Sequence, residues 1–222
     1  MKGSKHPRAG INLAFGGGMA AIVLYVVCSM AAWWVYPNRF TPLKNWLSDL
    51  GDRSRNPQGA PFYNVGCILT AAALLLFVLG LSRWRSEHRR RNALIVASQL
   101  AAFGSIVFLV MLGLYSQERL HEHLIYSNWF FVCFSLFMAL LSAALITDPH
   151  FKKSVGILGF AVVLVSFAFH SLFPLSRPLE WMTEFGFLVY VALVALSTQR
   201  ALTIGSSRPP MPGARMRSTG LV

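Results

Sequence analysis

The sequence predicts an all-α fold, that of a polytopic membrane protein whose six transmembrane helices form a bundle with a short helix in the outer interface. Of its 222 residues, 55% are hydrophobic and only 13% are charged, whereas a soluble domain of this size carries about 25% charged residues. Five gaps between charged residues hold more than twenty residues each. A helix needs roughly 20 apolar residues to cross a hydrocarbon core, so each gap can hold one span.

The predicted spans are helices because unpaired backbone groups in lipid cost several kcal/mol each, which excludes irregular segments. They cover residues 11–36, 61–82, 93–115, 123–147, 155–173 and 180–203. Residues 1–204 therefore form one transmembrane domain. Residues 205–222 contain prolines and scattered arginines but few apolar side chains, and they are predicted to form a disordered basic cytoplasmic tail.

Basic residues indicate the orientation of the chain. With a cytoplasmic N-terminus, the inner segments hold fourteen lysines and arginines and the outer segments hold six. Cytoplasmic loops carry the excess of basic residues, so both termini are predicted to be cytoplasmic, a pattern consistent with a prokaryotic cytoplasmic membrane. The net charge of +12 is then an orientation signal, and we expect no nucleic-acid partner.

The first outer loop, about residues 37–60, contains a helical pattern. Pro42 suits the first position of a helix, where its missing N–H would be unpaired anyway. After it, apolar residues recur at i, i+3, i+4 and i+7 and polar residues take the other side. The apolar set is Leu43, Trp46, Leu47 and Leu50, and the polar set is Lys44, Asn45, Ser48 and Asp49. The pattern predicts a short amphipathic helix lying in the interface; the alternative is a loop tethered only by Trp46.

Glu184 is the most informative single position. The uncharged stretch between it and Arg200 would rise only about 22 Å as a helix, too short to span. The sixth helix must therefore begin near Glu180, which places Glu184 about one turn inside the apolar boundary. An intramembrane carboxylate normally faces a protein interior or a water-filled cavity, so it indicates function. The alternative is that both glutamates snorkel to the interface or pair with Arg177.

Three histidines are candidate metal ligands or proton carriers, namely His121, His123 and His170. Residues two apart on a helix point about 200° away from each other, so His121 and His123 can bind one zinc ion only if the fourth helix begins after them. A proton-transfer role, or ordinary interfacial polarity, is the alternative for this pair. His170 could ligate metal or shuttle protons, and a structural histidine is equally compatible with its position.

These residues come from separate segments that could converge at an outward-facing cleft. The predicted members are Asp49, His121, His123, His170, Glu180 and Glu184. In such a cleft a metal-bound or carboxylate-activated water could attack a lipid ester or phosphodiester, with His121 or His170 and Glu184 as catalytic groups. No sequence motif fixes the spacing of ligands, so this enzyme hypothesis rests on the assumed convergence.

The stretch from Trp46 to Gly51, Trp-Leu-Ser-Asp-Leu-Gly, precedes Pro-Phe-Tyr-Asn at 61–64. Together they resemble a prokaryotic family of six-helix membrane proteins catalogued as a domain of unknown function. More distantly, the chain is similar to the family of damage-regulated autophagy modulators and glycosylphosphatidylinositol-lipid remodelling factors. The resemblance implies a six-helix fold associated with membrane lipids and supplies no established catalytic residue. It marks Asp49 and Asn64 as candidate binding residues, and the alternative is that they only brace the loop.

Two functional hypotheses follow. The first is a non-enzymatic protein that binds or organises membrane lipids, or a subunit of a membrane complex or homo-oligomer, using Trp46, Asp49, Asn64 and Glu180 as contacts. The second is a metal-dependent lipid hydrolase or transferase that uses the outer acidic and histidine residues. The absence of a catalytic motif favours the first hypothesis narrowly.

The predicted topology is tested by a cysteine placed at Ser54 in the first outer loop. A membrane-impermeant thiol reagent should label Ser54→Cys in intact cells, because this loop is expected outside. The parent chain, whose three cysteines all lie in predicted spans, is the control. Labelling that requires permeabilised cells would contradict the orientation.

Overall fold

The computed structural model describes residues 13–85, 87–149, 151–172 and 176–206. For Phe169, His170 and 201–206 it describes the backbone only. It contains six long helices: α1 (Leu13–Trp34), α2 (Ala60–Gly80), α3 (Arg89–Leu114), α4 (Leu120–Leu145), α5 (Lys153–Leu172) and α6 (Arg177–Ser206). Each overlaps one predicted span and its bounds differ from the prediction by at most a few residues. Helix α6 includes residues 205 and 206, which the sequence assigned to the tail of 205–222, and the rest of that tail lies outside the described residues.

The helices form a closed ring in chain order. Each helix packs against the next one along the chain, and α6 packs back against α1. Because most connections are short, neighbouring helices run antiparallel. We call the end of the bundle that carries the connection between α1 and α2 the loop end. There α2, α4 and α6 begin and α1, α3 and α5 finish.

Aromatic side chains fill the centre of the ring. Phe134 of α4 stacks on Phe187 of α6 with ring centroids 4.4 Å apart, and Phe137 meets Phe77 of α2 edge-on at 6.3 Å. Tyr190 is fully buried, and its hydroxyl lies 2.9 Å from that of Ser142. The aromatic core therefore joins three helices across the ring.

Small residues set the close approach of α1 and α2. A Cβ atom on Gly17 would collide with the backbone amide of Phe77 and lie 2.8 Å from the carbonyl oxygen of Ala73. A Cβ atom on Gly80 would likewise overlap the backbone of Ala14. Helices in lipid associate through such close packing, since burial from lipid supplies no hydrophobic gain.

The bundle has the dimensions and surface of an integral membrane protein. Among the described residues, five helical segments are long and apolar enough to span a bilayer: Leu13–Trp34, Ala60–Trp84, Arg89–Leu114, Leu120–Leu145 and Arg177–Arg200. The fifth helix is apolar over the shorter stretch Lys153–Ala168. Large apolar side chains such as Val27, Leu100 and Leu164 are exposed on the outside, where a hydrocarbon phase would cover them.

The connection between α1 and α2 differs in detail from the predicted amphipathic helix. Its short helix is a five-residue 3₁₀ helix, Leu47–Gly51, that begins after Trp46 rather than at Pro42. Leu47 and Leu50 are buried, whereas Leu43 is 77% exposed. Asp49, assigned to the polar side by the sequence pattern, is 1% exposed. The segment thus packs onto the bundle. Its conformation is determined by contacts with the bundle more than by the local pattern of apolar residues.

The packing of α1 on α2 can be tested by overfilling it. Gly17→Leu should destabilise the protein by about 3 kcal/mol or more, because the added side chain meets backbone that cannot move aside. Ala20→Leu, at an exposed position of the same helix, is the matched control and should change little. The measurement is the unfolding midpoint in detergent, and equal effects of the two substitutions would contradict the close packing.

Candidate functional site

A small polar cavity lies at the loop end, between five of the helices and the 3₁₀ helix. It has about 30 Å³ of space for the centres of water-sized molecules, enough for about two waters. Its lining combines two carboxylates, one histidine, hydroxyl groups and aromatic rings. The lining residues are Tyr25, Ser48, Tyr63, Asn64, Cys67, Leu109, Leu112, Ser116, His123, Ser127, Phe130, Phe131, Glu180 and Glu184.

Glu180 and Glu184 contribute the two carboxylates from one face of α6, since residues at i and i+4 lie one above the other. The Glu180 carboxylate accepts a hydrogen bond of 2.7 Å from the backbone N–H of Leu47, at the start of the 3₁₀ helix. Within the described part of the chain, no hydrogen bond or ion pair reaches the carboxylate of Glu184. The Glu180 carboxylate therefore anchors the loop, whereas the Glu184 carboxylate is available to a molecule in the cavity.

His123 supplies the only imidazole in the cavity lining and is 7% exposed. Its Nδ1 lies 3.1 Å from the carbonyl oxygen of Tyr115. A carbonyl can only accept, so Nδ1 carries the proton in this hydrogen bond. In the neutral ring, Nε2 then has a free lone pair and can accept a hydrogen bond from a bound molecule.

A second, apolar cavity of similar size adjoins the first. Glu184, Tyr25, Leu109 and Phe130 line both cavities, so the Glu184 carboxylate lies where polar and apolar linings meet. The second cavity reaches Thr70, midway along α2, whose buried hydroxyl has no hydrogen-bond partner among the described residues.

An ion pair braces the loop beside the polar cavity. Arg55 contacts the buried carboxylate of Asp49 at 2.7 Å and that of Asp52 at 3.2 Å. Asp49 also accepts a hydrogen bond from the backbone N–H of Trp46. Burial raises the pKa of Asp49 above its usual 3.8, and the Arg55 guanidinium opposes that rise. Asp49 therefore stabilises the loop and does not line the cavity.

Two asparagines fix the loop to the helices. Asn56 is completely buried and its side-chain amide donates to the carbonyl oxygens of Ala32 and Leu50. Asn64, which also lines the cavity, donates to the carbonyl oxygen of Gly51 at 3.0 Å. Asn56 was not among the predicted site residues, although the Asn-Pro dipeptide that it begins is a turn signal.

Comparison with known proteins identifies the family. The model of a family described as "Protein of unknown function (DUF998)" matches residues 19–202, from within α1 to near the end of α6. The chain belongs to this family. Neither a curated protein nor a solved structure matches it. The resemblance to a family of unknown function is thus confirmed, and the more distant similarity to the autophagy modulators stays a prediction.

In this DUF998 protein the predicted site residues are only partly brought together. His123, Glu180 and Glu184 line the polar cavity, whereas His121 is exposed outside it. The backbone of His170 belongs to α5, and its side chain lies outside the described residues.

Trp46 lies in the loop, outside the cavity lining, and the guanidinium of Arg177 lies over its ring, 5.7 Å from the centroid. Arg177 therefore neighbours an aromatic ring, and within the described residues no ion pair joins it to Glu180. The glutamates remain uncompensated by this arginine.

The histidine pair does not meet the geometric condition for a shared metal ion. Helix α4 begins at Leu120, so His121 and His123 are both helical, and one is exposed while the other is buried. The described residues contain no group of three His, Cys, Asp or Glu side chains that could hold a metal ion. A zinc site that includes His170 stays a prediction.

The loop brace can be tested through the pH dependence of stability. Arg55→Ala should destabilise the protein by about 1–3 kcal/mol at neutral pH, because the Asp49 carboxylate loses its cation. Without Arg55 the pKa of Asp49 in the folded protein rises further above its unfolded value. The proton is then bound more tightly in the folded state, so the defect should shrink as the pH falls towards the unfolded pKa and grow as it rises.

The control is Arg53→Ala, which removes an exposed neighbouring arginine that has no ion pair among the described residues. Unfolding midpoints of both variants, measured from mildly acidic to neutral pH, decide the question. A pH-independent defect in Arg55→Ala would argue against an uncompensated carboxylate.

Proposed function

We propose that this membrane protein is a non-enzymatic binder of amphiphiles that recognises a primary ammonium head group in the polar cavity. One observation carries the proposal. Glu180 and Glu184 line the same small cavity, and no lysine or arginine is among its lining residues.

Charge balance supports a cationic ligand. An ionised carboxylate is costly to remove from water unless it is paired or hydrogen-bonded. Glu180 has a backbone partner in Leu47, but Glu184 has none among the described residues. An ammonium group placed between the two carboxylates would donate to both, and the Nε2 atom of His123 could accept its third N–H.

Aromatic rings support the same ligand class. Tyr25, Tyr63, Phe130 and Phe131 all line the polar cavity. A cation near the face of an aromatic ring is attracted by its quadrupole, and the attraction grows when the pair is removed from water. Carboxylates and aromatic rings together favour an organic cation.

The size of the cavity selects among cations. Its space suits about two waters, and a primary ammonium is close to a water molecule in size. A trimethylammonium group is much larger. The site is therefore expected to prefer primary amines to quaternary ones.

The second cavity favours an amphiphile over a simple amine. It continues from Glu184 and is lined almost wholly by apolar side chains, including Leu74, Phe134, Phe187 and Val191. The carbons next to the ammonium could occupy it. With the predicted orientation, the ligand would come from the outer leaflet of a prokaryotic cytoplasmic membrane.

Long-chain amines of matched length test the proposal. Dodecylamine should bind the purified protein and raise its thermal unfolding temperature, whereas dodecanol and dodecyltrimethylammonium should have much smaller effects. Glu184→Gln should weaken dodecylamine binding by about tenfold to a hundredfold, the loss expected for a charged hydrogen bond. Titration calorimetry gives the affinities.

Glu87→Gln, which removes an exposed carboxylate far from the cavity along the chain, is the matched control and should bind dodecylamine as the parent does. Equal binding of dodecylamine and dodecanol would contradict recognition of the ammonium group. So would an unchanged affinity in Glu184→Gln.

A further inference from the structure

We infer that the end of the bundle opposite the loop end binds anionic phospholipid head groups through a second, independent surface. The basic patch, as we call it, consists of six exposed side chains: Arg83, Arg85, Arg89, Arg90, Lys152 and Lys153. These residues belong to the connection between α2 and α3, the start of α3, the end of the connection between α4 and α5, and the start of α5.

Buried contacts bring the separate segments of the patch together. Trp84, between two patch arginines, is 6% exposed and meets the ring of Phe151 edge-on at 5.5 Å. Phe151 immediately precedes the two lysines in the chain. The indole N–H of Trp84 also donates to the hydroxyl of Thr198 on α6 at 2.9 Å. The two connections are thus held side by side.

A buried ion pair gives a second tie between the same segments. Arg91, at the start of α3, lies 2.8 Å from Asp148, which precedes α5. Their side chains are 13% and 7% exposed, so this pair belongs to the packed interior. Arg91 therefore stabilises the fold, whereas the neighbouring Arg89 and Arg90 are exposed.

The basic patch has an excess of positive charge, which favours the binding of anions. Asp148 is already paired with Arg91, which leaves Glu87 as the exposed acidic residue within these segments. The first turn of α3 contains three arginines and no acidic residue, although the positive end of a helix dipole favours negative charge. Six exposed cations against one carboxylate repel one another unless an anion lies between them.

Membrane phospholipid is the anion that the location selects. The patch lies at the ends of helices α2, α3 and α5, and in a bilayer that these helices span it would be at the depth of the lipid head groups. Each cation near an anionic leaflet adds attraction that salt screens, whether it is an arginine or a lysine. The chemistry is opposite to that of the cavity with its two glutamates, and the two surfaces lie at opposite ends of the bundle.

The test is the composition of the lipid that stays bound. The purified full-length protein is equilibrated with detergent micelles that contain phosphatidylcholine and phosphatidylglycerol. Native mass spectrometry then counts the bound lipids. The parent protein should retain phosphatidylglycerol in excess of its share in the micelles. A variant with Arg83→Gln, Arg89→Gln, Arg90→Gln and Lys152→Gln should lose the excess, since each charge is worth about fivefold in affinity.

The matched control removes exposed arginines near the loop end through Arg39→Gln, Arg53→Gln and Arg119→Gln, and it should keep the excess. A second variant, with Arg83→Lys, Arg89→Lys and Arg90→Lys, preserves the charge and should keep it too. The proposal is overturned if the parent shows no excess, if the control loses as much as the patch variant, or if the lysine variant loses it. Any of these results would leave the patch as an orientation signal only.

Discussion

Lipid offers no hydrogen-bond partners, and the rest of this structure depends on that constraint. Polar groups inside the bundle must find partners within the chain or cost several kcal/mol each. Most do so locally, as Ser98 and Ser105 donate to carbonyl oxygens of their own helix. Others join helices, as Tyr190 does with Ser142. Among the described residues, the carboxylate of Glu184 has no hydrogen bond or ion pair, and the proposed ligand site is built on this feature.

The two ends of the bundle satisfy this constraint in different ways. At the loop end, backbone carbonyls and buried asparagines such as Asn56 hold a long connection close to the helices, and a small cavity remains beneath it. At the opposite end, Trp84 and the Arg91–Asp148 pair close the packing tightly, and the exposed charges there include the six cations of the basic patch and the carboxylate of Glu87. One end therefore presents an enclosed acidic site and the other an open basic surface.

The sequence predicted the helices well because gaps between charges report directly on what can be buried in lipid. It also predicted that the sixth helix begins before Glu184, because the stretch after this residue was too short to span, and α6 begins at Arg177. The loop was predicted less well: the period of its apolar residues indicated a helix, but burial of Asp49 with Arg55 and anchoring by Asn56 depend on contacts that local pattern does not contain.

The composition of the cavity was the least predictable feature. His121 and His123 are both in α4, and which of them is buried depends on the side of the helix that packs against the bundle. Tyr25 of α1 lines the cavity because of helix packing, which no sequence motif predicts. The lining residues come from five helices and become neighbours only when the helices pack together. Their spacing along the chain therefore could not predict the cavity.

The closed ring also imposes an order on assembly. Its first and last helices are neighbours, so during synthesis α1 must wait in the membrane until α6 has been inserted before the two can pack. The cavity needs Tyr25 from the earliest helix and both glutamates from the latest. A ribosome that stopped before α6 would release a chain with neither carboxylate and with the inner face of α1 open to lipid. The acidic site therefore cannot form before α6 has been inserted.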